Sequence, residues 1–249
     1  MGLCVSKSNK SVSSYSPYAQ SEASPPRLTG ASPSSSLNGA SQIDNVSDSL
    51  FNPNNDPRVD RLIQFIVQLY PQSATLRRTL NKLAEQGGAF LYIVPDDQIH
   101  NSYGHAETIP STRSIRIGEN AIADIEGHGY HQLNTCLIEL TNLSNIDSFA
   151  RVRQSFLAGN TSVERAAKES EKAEYGTIKD MMKYYEEAQE GIADLGYGNP
   201  SLWYMSTDPE TQQIQPGYRS FDDYYLNAQR TGHTDVYLQN YQQLANYRA

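Results

Sequence analysis

Apolar residues along the chain recur at two spacings, and those spacings divide it into elements. Val59, Leu62, Ile63, Ile66 and Leu69 repeat at helical intervals behind Asp56-Pro57, an N-cap residue followed by a proline at the first helical position. Pro71 ends that run, Ser73 caps a second helix with Leu76, Leu80 and Leu83 on one face, and Gly87 stops it. Ala89-Phe-Leu-Tyr-Ile-Val94 is a short continuous apolar run and predicts a buried strand. Arg113-Ser-Ile-Arg-Ile117 alternates instead, which predicts a half-exposed strand at a sheet edge. A polar loop holding His100 and His105 separates the two.

Leu133, Cys136, Leu137, Leu140 and Leu143 form one apolar stripe, with His131, Thr135, Ile138, Glu139 and Asn142 on the other side. Two such faces describe a helix that packs on a core and lines a cleft. Thr161-Ser-Val-Glu164 has the pattern of a capping box and opens a long helix reaching about Glu190. Its inward stripe, Val163, Ala167, Ser170, Ile178, Met181 and Tyr185, includes Glu174. A carboxylate in that position needs a partner, because an unpaired buried charge is expensive. The remaining segment is aromatic and polar and ends in a helix bearing Val236, Tyr237, Tyr241 and Leu244. Seventeen Tyr against six Phe point either to rings with one polar edge at cleft rims and interfaces, or to ordinary helix packing.

Composition separates this region from what precedes it. Residues 1–55 hold 15 Ser and five Pro, too little apolar surface to offset the entropy of ordering, so they are expected to be a disordered leader. The expected organisation is that leader followed by one α+β domain over 56–249, mainly helical with a small sheet. The leader has three basic and three acidic residues, so the net charge of −8 falls on the domain. An acidic domain argues against nucleic acid as a partner, since phosphate binding needs a basic face. Cys4 and Cys136 do not suggest a disulfide framework, and a reducing compartment is implied. No apolar run approaches the roughly 20 residues that span a bilayer.

The chain opens Met1-Gly2-Leu3-Cys4-Val5-Ser6-Lys7. Gly2 behind a removable Met, with Ser6 four residues on, fits N-myristoylation, and Cys4 beside it is placed for S-palmitoylation. One myristoyl chain holds a protein only marginally, so the second chain is what makes an anchor, and Lys7 and Lys10 add attraction to anionic lipid. With its Ser/Pro-rich, acid-poor continuation, this start resembles the acylated type III secretion effectors of plant-pathogenic bacteria, the Xanthomonas outer proteins among them. That resemblance covers about fifty residues. It implies secretion through the type III system, acylation by host enzymes, a place on the cytoplasmic face of the host plasma membrane, and a virulence role exerted on a host protein.

The domain's candidate chemistry sits around Glu139. A predicted edge strand, then a cleft-lining helix, then a helix presenting a carboxylate, resembles the order of parts in zincin peptidases, whose helix carries H-E-x-x-H. Here the pentapeptide is Ile138-Glu139-Leu140-Thr141-Asn142, with Glu174 where a third ligand belongs. Ile ligates nothing and Asn is a poor zinc ligand, so the resemblance implies a zincin-like arrangement without metal or cofactor. Glu139, Asn142 and Glu174 are the expected site residues, serving a binding domain rather than a peptidase. The alternatives are enzymes: an ADP-ribosyltransferase using Arg113, Ser114 and the Glu169/Glu171 pair, or a protease with Cys136 as nucleophile. A metal pair of His128 and His131 lacks a third ligand nearby.

Overall fold

The computed structural model describes Val46 and residues 49–99, 106–119 and 132–247. It is α+β, with seven α-helices among those residues and a small mixed sheet. The sequence positions Gly2, Cys4, His100, His105, His128 and His131 lie outside the described residues.

Four strands make the main sheet: β1 (Leu50–Phe51), β2 (Ala89–Val94), β3 (Ala106–Ile109) and β4 (Ser114–Gly118). Their order is β1-β2-β4-β3, with β1 and β4 parallel to β2 and β3 antiparallel to β4. Two expectations change here. The strand near Arg113 is not at the edge: β4 pairs on both sides, and all its residues but Arg116 are buried. The alternation that suggested exposure has another cause, because Arg116 faces Glu107 across β3 at 3.5 Å while the Arg113 Nε donates back to the Gly88 carbonyl at 2.6 Å. Leu50 and Phe51, placed in the leader by composition, form β1, and Val46 joins the core. Gly88 makes room for β1: at φ +80° its Cβ position would lie 2.8 Å from the Ser49 carbonyl oxygen, so only a glycine fits without strain.

Helices α1 (Pro57–Leu69) and α2 (Ala74–Glu85) begin where the sequence says, the Asp56 carboxylate accepting from the Arg58 amide and the Ser73 hydroxyl from the Leu76 amide. Helix α3 (Gln132–Ser144) buries Leu133, Cys136, Leu137, Leu140 and Leu143 completely, as its stripe requires. A further helix, α4 (Ile146–Leu157), follows after Asn145. Helix α5 (Val163–Asp194) starts one residue later than the expected box, with Ser162 as the cap that accepts from the Arg165 amide. Its spine holds the domain together. The Tyr184 hydroxyl shares hydrogen bonds with Thr79 on α2 and Thr141 on α3, and Glu187 accepts from the Ser73 and Thr75 hydroxyls and the Thr75 amide at the start of α2.

After a buried Trp203 and the hairpin β5 (Met205–Thr207) and β6 (Ile214–Pro216), the chain ends in α6 (Phe221–Thr231) and α7 (His233–Asn246). Gly232, at φ +80°, both ends α6 and precedes α7. Of the thirteen described tyrosines five serve the interior and seven are half-buried. Tyr70, Tyr184, Tyr185, Tyr224 and Tyr241 are buried, and each hydroxyl finds a protein partner.

Candidate functional site: a carboxylate cluster between α3, α5 and α7

Helices α3 and α5 are joined by a side-chain hydrogen bond. Asn142 Oδ1 accepts from the Thr177 hydroxyl at 2.7 Å, and one turn away on the same faces stand Glu139 and Glu174. Glu139 reaches to the edge strand β3, where its Oε2 accepts from the Thr108 hydroxyl at 2.5 Å. Burial pushes its carboxyl up to about 7; the Thr108 bond opposes that, and the charges of Glu174 and Glu107 add to it. Of the two carboxylates expected to share a site, Glu139 thus feels the charge of Glu174. Burial raises Glu174 as well, against His233 and the Tyr237 hydroxyl, which favour its charged form, and with Glu171, which does not.

Among the described residues the most buried carboxylate is one that the sequence offered only in the E-x-E alternative. Glu171, 0% exposed, sits one turn before Glu174 on α5 and accepts from the Tyr224 hydroxyl at 2.9 Å and the Thr234 hydroxyl at 2.8 Å. His233, the first residue of α7, lies between them, with Nδ1 3.1 Å from Glu171 and Nε2 3.6 Å from Glu174. Tyr237 donates to Glu174 from the next turn. Burial alone would strip the proton from this imidazole, but the Glu171 hydrogen bond and the charges of Glu174 and Glu171 outweigh it and hold His233 at about 9. Placing two carboxylates at the first turn of α7 also suits the positive end of that helix. Tyr204, whose proton affinity burial and the charges of Glu174 and Glu139 raise, lies near enough to feel both.

Glu171, Glu174 and His233 bring ligand-type atoms within 4.8 Å of one another, a composition that suits a divalent cation. The hydrogen bonding fits a protonated imidazolium better. Both His233 nitrogens face carboxylates, and the oxygens are already approached by Tyr224, Thr234 and Tyr237 hydroxyls. A metal would need a neutral imidazole and would displace those donors.

The remaining candidates fall apart or change role. Ile138, in a zinc-ligand position of the zincin pattern, packs half-buried against the core, and Asn142, in the other, is spent on Thr177. Cys136 is completely buried, and burial followed by the Glu139 charge pushes its thiol up to about 12, which leaves no nucleophile. The arginine, serine and E-x-E set does not share partners: Arg113 is tied to Gly88 and Gln86, and Ser114 to Thr112, whereas Glu171 holds residues of α6 and α7 and Glu169 is exposed. No residue pattern near Glu171 announces its partners, which lie more than fifty positions further along the chain.

No family model, no curated protein and no solved structure matches the chain.

Proposed function

We propose that this protein is a virulence effector delivered by the type III secretion system of a plant-pathogenic bacterium. Host enzymes attach myristate to Gly2 and palmitate to Cys4. The folded domain, held on the cytoplasmic face of the host plasma membrane, binds a host protein through the surface around Glu139 and Glu174 and so suppresses immunity. The amino-terminal heptapeptide supports the membrane half of this reading. The observation that carries the domain half is the Glu139 carboxylate, which sits at the junction of β3, α3 and α5 with its proton held up to about 7. Groups tuned in this way concentrate at functional sites.

Binding is favoured over peptidase chemistry because Ile138 and Asn142, where a zincin helix offers its ligands, serve packing and a hydrogen bond to α5. A second reading follows from the same value, since a carboxyl near 7 is suited to general acid or base work at cellular pH. The test is a pair of isosteric variants, Glu139→Gln and Glu174→Gln, expressed in plant cells beside Gly2→Ala and Cys4→Ser. The first pair is expected to remain membrane-bound but lose immune suppression, and the second pair to leave the membrane. Full suppression by both glutamine variants removes the carboxylates from function. Stoichiometric zinc in the purified protein overturns the binding reading in favour of a metalloenzyme.

A further inference from the structure

The domain carries a basic groove that its acidic composition conceals. Arg165, Lys172, Lys179 and Lys183 recur on α5 at intervals of seven, seven and four residues, and all four are exposed. At α-helical pitch these positions stay within about 40° of one line and extend over about 27 Å. Beside the line, between α5 and α4, run hollows of about 410 and 370 Å³ that share Ser148, Lys172 and Ala173, so they form one continuous groove. Arg151 enters it from α4, and its acidic lining residues are Glu169 and Asp180. Five cations against two carboxylates stand out in a chain whose net charge is −8.

Gly176 lies in the groove's lining in mid-helix, and among the described residues a Cβ there would meet nothing within 4 Å, so no described neighbour requires that glycine. The straight line of exposed cations is about as long as several lipid headgroups, so a row of phosphates at a bilayer surface can meet the whole of it, with single headgroups entering the hollows beside it.

We propose that this groove seats the phosphate headgroups of an anionic bilayer, so that α5 lies along the membrane surface. The inference deepens the membrane half of the proposed function and rests on it for the setting, but it concerns a separate contact. Acyl chains supply attachment, whereas the groove orients the domain. Each Lys or Arg brought to an anionic leaflet is worth about a fivefold gain in partitioning, and the attraction falls with salt because the screening length is only about 8 Å at physiological strength.

The experiment uses the full chain made in a bacterium without an N-myristoyl transferase, so that no acyl chain contributes. Flotation is measured with vesicles of phosphatidylcholine alone and of phosphatidylcholine mixed with phosphatidylserine. Inositol hexakisphosphate and a doubly phosphorylated peptide are tested separately by calorimetry. Salt-sensitive binding to the mixed vesicles is expected, with Lys172→Gln/Lys179→Gln reducing it by about tenfold or more. Arg230→Gln, at an exposed position of α6, should leave it unchanged, and the melting temperature of the double variant should match the parent. Equal binding to both vesicle types, or an undiminished double variant, overturns the proposal. Binding of the soluble phosphates without binding of the mixed vesicles overturns it too, and assigns the groove to a soluble ligand. Since no acyl chain is present, an unmodified Gly2 in host cells would refute the anchor while leaving this result standing.

Discussion

His233 Nδ1 lies 3.1 Å from Glu171 and Nε2 lies 3.6 Å from Glu174, so one imidazole at the start of α7 bridges two successive turns of α5. This contact joins the last two helices to the long central one at Glu171 and Glu174. The site and the docking of α6 and α7 thus depend on the same carboxylates.

Removing Glu171 is expected to cost more than removing any one of its donors. Glu171→Ala leaves the Tyr224 and Thr234 hydroxyls and the His233 Nδ1 without their acceptor, for a loss of about 3–5 kcal/mol. Tyr224→Phe removes a single bond to a buried carboxylate, for about 1–3 kcal/mol. Urea unfolding of both variants measures the difference, and equal midpoints would show that Glu171 is not the hub.

Stability should decline from acid to alkaline pH. His233 rises from 6.5 to about 9 on folding, so its stabilisation is complete below 6.5 and is lost as the pH passes through about 9. Glu139 rises from 4.5 to about 7, so the folded chain holds a proton that the unfolded chain releases, and stability falls across that interval as well. The two slopes have the same sign. A melting temperature that decreases steadily between these limits is expected, and His233→Gln should flatten the upper part; a rise toward pH 9 would contradict both assignments.

Two glycines should respond in opposite directions to alanine. Gly176 is helical with open space above it, so Gly176→Ala is expected to stabilise by about 0.5–1 kcal/mol. Gly88 has φ +80° and the Ser49 carbonyl and Phe51 ring where its Cβ would go, so Gly88→Ala should destabilise by more than about 1 kcal/mol and loosen β1. Thermal melts of the two single variants check the contrast, and matching shifts would mean that β1 is not held as described.

Much of the fold was legible because its helices announce themselves locally. Asp56-Pro57, Ser73 and the leucines of α3 each act through neighbours within a turn or two, and the structure uses them as the spacing requires. Helix α4 was not foreseen, although Ile146, Phe149, Val152 and Phe156 recur at close to helical spacing; of these only Phe149 and Phe156 are buried. Glu174 was visible as a carboxylate on an inward face. Glu171 was not, since what permits its burial is a histidine 62 residues away whose own surroundings are polar. Arg113-Ser-Ile-Arg-Ile117 misled for the same reason: the pairing of Arg116 with Glu107 is a cross-strand relation that no single stretch of sequence displays.

The claim on which the functional reading depends most is the lipid anchor at the amino terminus. Intact-mass and peptide mass spectrometry of the protein recovered from plant cells tests it directly. Myristate on Gly2 and palmitate on Cys4 are expected, with the palmitate absent from Gly2→Ala because the unanchored chain does not stay at the membrane where palmitate is added. A Gly2 that is unmodified, or still preceded by Met1, in protein taken from the host membrane fraction would contradict it.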